Sequence, residues 1–139
     1  MIVCYHGCSE SVITELVAGN IDVSIGGGEL GRGFYTSIEL WTAKIWALNL
    51  YKSETVLKIE MPWQEFEKLK PLVLTFEQTC DYHKRIKKLR ATRTYLFHRH
   101  VIWSPIVGDQ MNGKDDQFKW ESKTAELLLK GEKVKRTQV

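Results

Sequence analysis

The sequence predicts an α+β domain with a mainly antiparallel sheet, and three observations carry that expectation. Short segments rich in β-branched and aromatic residues alternate apolar and polar positions. Other segments space their apolar residues as a helix does, and no repeat, low-complexity tract or Pro/Ser-rich linker divides the chain. The 139 residues suffice for one core, since a chain of this length buries roughly two thirds of the surface it exposes when unfolded.

The first element is a strand from Ile2 to His6, closed by Gly7, after which Ser9 stands as a helix cap. Val12, Ile13, Leu16 and Val17 fall at helical spacing, and Gly19-Asn20 supplies the stop. Ile21, Val23 and Ile25 alternate before Gly26-Gly27-Gly28 opens a loop through Gly31 and Gly33, expected to be mobile or to face a ligand. Phe34-Tyr35-Thr36 reads as a short strand, and Ser37 caps a helix carrying Leu40, Trp41, Ile45, Trp46, Leu48 and Leu50 to about Tyr51. Thr55 to Glu60 alternates and stops at Pro62, as an antiparallel strand should. Trp63 to Leu69 is a helical turn or two, and Glu77 to about Phe97 an interrupted helix with a cationic face. Val101 to Val107 reads as a buried strand, Gln117 to Glu121 as an alternating one, and Ala125 to Leu129 as a final short helix. Residues 1–131 form a single domain in this reading, and 132–139 a basic polar tail that frays.

Hydrophobic residues make up 43% and charged residues 27%. That balance excludes a disordered chain, and no apolar run approaches the roughly 18 residues of a membrane span. The start MIVCYHG has no basic flank followed by an apolar stretch, so a cytoplasmic protein is expected. Cys4, Cys8 and Cys80 are an odd set, which favours reduced thiols or a metal over a disulfide framework. The net charge of +3 implies no nucleic-acid partner by itself. Its distribution says more: Lys84, Arg85, Lys87, Lys88, Arg90, Arg93 and Arg99 follow one another without an acid among them.

Three features carry chemistry. Tyr5-His6-Gly7 ends a strand. Gly31-Arg32-Gly33-Phe34-Tyr35-Thr36-Ser37 lets backbone pass close to a ligand before Tyr35 is presented. Trp46 stands eleven residues beyond Tyr35 on the next helix. Two such aromatic faces form a slot suited to a planar cationic ring, attracted by about 0.5–2 kcal/mol; the nicotinamide of oxidised NAD is such a ring. Cys4, His6 and Cys8 at alternate positions would suit zinc, but a fourth ligand at a usual spacing is missing and Gly7 bends Cys8 away, so no metal is expected.

These residues, His6-Gly7, then Gly31-x-Gly33-x-Tyr35, then a helix with Ala43, Trp46 and Ala47, and finally the strand Gln117 to Glu121 before a helix, resemble the His-Tyr-Glu branch of the ADP-ribosyltransferase superfamily. That branch includes poly(ADP-ribose) polymerases and diphtheria toxin, and the closest likeness is to the short prokaryotic domain of unknown function 3990. The resemblance implies an ADP-ribosyltransferase-like split antiparallel β-sheet core with flanking short helices. It further implies that His6 binds the adenosine-side ribose of NAD, that the Gly7 backbone holds the nicotinamide amide, and that Tyr35 and Trp46 cover the ring. Gly33 lets the chain approach NAD, and Ala43 falls where the polymerase pattern has an amide-binding hydroxyl. The last catalytic position falls on Gln117, which is neutral; Glu121 points to the same strand face and is a substitute carboxylate.

Without a glutamate at the aligned position, transfer of a single ADP-ribose to a macromolecule is expected rather than chain elongation. The protein would then be a bacterial or phage toxin or defence effector. Lys84, Arg85, Lys87, Lys88, Arg90 and Arg93, with Tyr82, Tyr95 and Phe97 interleaved, would guide an RNA, DNA or acidic protein acceptor, or bind an antitoxin protein. The same block reads equally as a solvated helix face. Rival readings are a non-catalytic NAD- or nucleic-acid-binding module, an NAD glycohydrolase, and an NAD-dependent RNA 2′-phosphotransferase.

Overall fold

The computed structural model describes residues 1–108 and 114–139. Its elements run β1 (Ile2–Gly7), α1 (Ile13–Val17), β2 (Phe34–Ser37), α2 (Leu40–Tyr51), β3 (Val56–Met61), α3 (Trp63–Lys68), β4 (Leu72–Val73), α4 (Phe76–Lys88), β5 (Val101–Pro105), β6 (Asp116–Trp120), α5 (Lys123–Lys130) and β7 (Lys135–Gln138). The strands make one open sheet in the order β4-β5-β6-β2-β1-β3-β7. The protein is therefore α+β with a mostly antiparallel sheet, mixed because β4 pairs parallel with β5.

Side chains alternate across a strand, so the sheet has two distinct faces. On one, Ile2 and Cys4 of β1, Phe34 of β2, Leu57, Ile59 and Met61 of β3, and Phe118 and Trp120 of β6 form the larger core. Ile13 of α1, Phe66 of α3, and Ala125 and Leu129 of α5 close it. The Phe66 ring lies 4.9 Å from Phe118 and 5.7 Å from Trp120, aromatic contacts worth about 0.5–1.5 kcal/mol each beyond area burial. On the other face Leu30, Leu74, Ile86 and Ile102 form a smaller core with Tyr82, Tyr95 and Phe97 against it, seating α4 over β5. α2 lies over β1, where the absence of a side chain at Gly7 lets the backbone of Ala43 and Ala47 approach.

Two sequence expectations are corrected, the long cationic helix and the fraying tail. The helix expected from Glu77 to Phe97 starts under a Thr75–Gln78 capping box and stops at Lys88. Arg90 is left-handed at φ 55°, and the chain turns back so that Phe97 packs 4.7 Å from Tyr82; burying Tyr95 and Phe97 is favoured over extending a helix into water. The alternating Ile21 and Val23 both plug the larger core, and the Glu126 carboxylate accepts the Val23 N–H. The tail expected to fray is β7, paired with β3 from Leu57↔Gln138 to Glu60↔Lys135. Arg136 fixes it, donating from Nη1 to the Leu129, Gly131 and Val134 carbonyls and from Nε to that of Val17.

Candidate functional site

The three strands that carry the expected site residues are neighbours. Tyr5 of β1 pairs with Ser37 of β2, and Ser37 with Gln117 of β6. By alternation, Tyr35, Ser37, Gln117 and Lys119 share one face, whereas His6, Phe34 and Thr36 point to the other. The structure thus brings Tyr35 and Gln117 together and turns the His6 imidazole away from them.

His6 stacks on Phe34 at 4.0 Å and its Nδ1 lies 2.7 Å from the Tyr35 carbonyl oxygen. A carbonyl only accepts, so Nδ1 carries the proton and Nε2 is left as the acceptor of a neutral ring. Burial lowers the His6 pKa from 6.5, opposed by the hydrogen bond to Tyr35. Cys4, by contrast, is pushed up to about 12 and Cys8 to about 11 by burial, so both thiols stay protonated at neutral pH. Among the described residues no three His, Cys, Asp or Glu side chains group as metal ligands.

Tyr35 is held by the glycine loop. Its hydroxyl donates to the Gly31 carbonyl at 2.7 Å and accepts from the Leu30 N–H at 3.1 Å. A Cβ on Gly28 would stand 2.6 Å from the Tyr35 ring, so only glycine lets the backbone lie on that aromatic surface. Gly31, at φ 97°, presses against Tyr95 in the same way. Gly33 approaches Lys119. The loop is therefore packed between β2, β6 and residues 91–97. Gly7 and Ala43 touch one another where α2 crosses β1, and Trp46 sits half-buried at the margin of the buried stripe Thr42, Ala43 and Ala47. No ring stacks on Tyr35 or Trp46 among the described residues.

Glu121 lies just past β6, and its carboxylate is consumed. Oε1 accepts from the Lys119 ammonium at 2.5 Å and the Phe97 N–H at 2.9 Å, and Oε2 from the Arg99 N–H at 3.1 Å. Lys119, wholly buried, also donates to the Tyr95 carbonyl at 3.3 Å and lies 4.9 Å over the Phe97 ring. Burial lowers the Lys119 pKa against the opposing pull of Glu121. The substitute carboxylate of the sequence reading is thus a structural clamp on residues 97–99.

Gln117 meets a different acid. Its side-chain Nε2 donates to Glu29 Oε1 at 2.9 Å, and the Val107 N–H donates to the same oxygen at 2.9 Å. His83 Nδ1 lies 3.1 Å from the Glu29 carbonyl and donates to it. Sequence reasoning missed Glu29; its signal was being the lone acid between Gly26 and Gly33.

Of the cationic block, Lys84, Arg85, Lys87, Lys88 and Arg90 are exposed, and none joins an ion pair among the described residues. Arg93 instead donates to the Ile25 carbonyl, bracing the glycine loop. Cys80, His83, Lys84, Lys87 and Val107 line a concavity of about 400 Å³ beside Glu29. Arg32 Nε is a buried side-chain nitrogen with no acceptor among the described residues.

No protein-family model matches the chain, and no curated protein or solved structure is significantly similar to it.

Proposed function

We propose that this chain is an NAD-consuming domain that breaks the bond between nicotinamide and ribose. Its particular activity, in this reading, is mono-ADP-ribosyl transfer to a macromolecular acceptor, with an ADP-ribosyltransferase-like sheet as scaffold. The observation that carries the reading is the adjacency of β1, β2 and β6, cross-linked by the hydrogen bond from His6 to the Tyr35 carbonyl. Residues 6, 7, 35 and 117 come from three distant stretches of chain yet fall on three consecutive strands. Arg32 Nε, without an acceptor among the described residues, supports it as well, since a buried donor without an acceptor costs about 1–3 kcal/mol and the NAD pyrophosphate would satisfy it.

As the glycosidic bond breaks, positive charge moves from the pyridinium ring to the sugar. Fixed acceptors near the ribose stabilise that charge, by about 3–4 kcal/mol for a single well-placed group. Neutral His6, on the opposite sheet face from Tyr35 and Gln117, keeps Nε2 for the adenosine-side ribose and takes no part in that stabilisation. The cytoplasmic setting, a role as toxin or defence effector, and an antitoxin partner belong to the same proposal.

The test is incubation with NAD labelled in its adenylate part and a cell lysate, followed by protease or nuclease digestion. Label that survives one digestion and is released by the other identifies the acceptor polymer. No release of nicotinamide under any condition would refute the enzymatic reading. A non-catalytic nucleic-acid-binding module is the second reading, favoured by Gly28 covering the Tyr35 ring and by Lys84 and Lys87, which form no ion pair among the described residues.

A further inference from the structure

We infer that Glu29 is the carboxylate of the site, supplied from the glycine loop in place of a β6 glutamate; the inference rests on the proposed NAD-consuming reaction. Loop residues 28–31 bridge the two expected site residues that share a sheet face. On one side Gly28 lies against the Tyr35 ring while Leu30 and Gly31 bind its hydroxyl. On the other, the Glu29 side chain reaches Gln117 at 2.9 Å.

The position is built. Gln117, 1% exposed, and the Val107 N–H both donate to Oε1, and His83 holds the Glu29 main chain. Among the described residues none donates to Oε2, which lies beside Gly108, and Glu29 is half-buried, so no described group competes with a ligand for that oxygen. Glu121 has no such oxygen, because each of its two is taken. Gln117 thereby gains a role that its neutrality denied it: an amide N–H orients a carboxylate, as a glutamate at that position would not.

In the reaction, the bond between C1′ of the ribose and the nicotinamide nitrogen breaks, its electron pair leaving with neutral nicotinamide. The acceptor hydroxyl oxygen forms the new bond to C1′, and its proton passes to Glu29 Oε2. Electron count and charge balance without another reactant.

The test measures nicotinamide release by the full chain across pH 5 to 9 for the parent protein, Glu29→Gln, and Glu29→Gln combined with Gln117→Glu, with melting temperatures as a folding control. Removing a positioned general base typically costs on the order of 100-fold or more in rate. Glu29→Gln should therefore lower kcat about 100-fold and leave KM for NAD within about threefold. The double variant, with a carboxylate returned to β6, should regain at least about tenfold. A Glu29→Gln rate within threefold of the parent overturns the inference. So does a loss that falls on KM or accompanies a lowered melting temperature without recovery in the double variant. If the parent protein itself releases no nicotinamide, the proposed reaction falls, and Glu29 as its base falls with it.

Discussion

Replacing Glu121 by glutamine tests whether the Lys119–Glu121 pair holds residues 97–99 onto the sheet. The Lys119 side chain is 0% and that of Glu121 3% exposed, with 2.5 Å between their charged atoms. Glutamine keeps the shape and one acceptor oxygen but removes the counter-charge, stranding an ammonium in the interior. Breaking a buried pair from one side costs about 3–5 kcal/mol. The remaining amide oxygen and the Tyr95 carbonyl still solvate Lys119, whose pKa burial already lowers, so the expected loss lies near the lower end, about 3 kcal/mol. Urea unfolding reads it directly: with a slope of about 2 kcal/mol per molar urea, the midpoint falls by about 1.5 M. Adding Lys119→Met to Glu121→Gln removes the stranded charge and should recover at least about 1 kcal/mol of the loss. A single-variant loss under about 1 kcal/mol, or no recovery in the double variant, would refute the clamp.

Acid sensitivity should report His6. Its folded pKa lies below 6.5, so the unfolded chain binds the proton first as the pH falls. The unfolding free energy then decreases below about pH 6.5 until the folded-state value is reached, at up to about 1.4 kcal/mol per unit from this group. NMR titration should find the His6 ring titrating below 6.5, and His6→Gln should flatten the acid slope seen by urea unfolding. Arg136→Ala removes the anchor of β7 and should cost about 2 kcal/mol; amide exchange at 135–138 should accelerate more than at β1. If the cationic face of α4 binds single-stranded RNA, Lys84→Glu with Lys87→Glu should weaken binding and lower the slope of log affinity against log salt by about 0.7 for each phosphate no longer neutralised.

Five of the seven strands and the order of the helices were legible, because alternation and helical spacing are local signals, whereas β4 and β7 were not anticipated. Ile2 to Gly7 and Asp116 to Trp120 fell almost where periodicity placed them. What was not legible depends on residues that meet from far apart in sequence. Ile21 and Val23 alternate as a strand would, yet both plug the larger core, and Glu126, 103 residues after Val23, accepts the Val23 N–H. Arg136 looked like one more solvated cation until the carbonyls at the ends of α1 and α5 converged on it. The site divides in the same way. Tyr35 and Gln117 are two ends of one antiparallel pairing that the alternation could anticipate, whereas the meeting of Glu29 with Gln117 spans 88 residues and arises only once α4 and β5 are in place. For Glu121, a carboxylate on a strand face gives no hint in sequence that a lysine two residues earlier and two backbone amides will saturate it.

The main-chain cover on the Tyr35 ring has a kinetic corollary. A flat molecule that stacks on the side occupied by Gly28 must wait for the cover to lift, so its observed association rate should level off at high concentration instead of rising linearly. The plateau would equal the opening rate, and its apparent affinity would be weakened by the fraction of time the ring is bare. Because Arg93 and Tyr95 brace the same cover, changes at these residues, away from any ligand, would retune how quickly it is admitted.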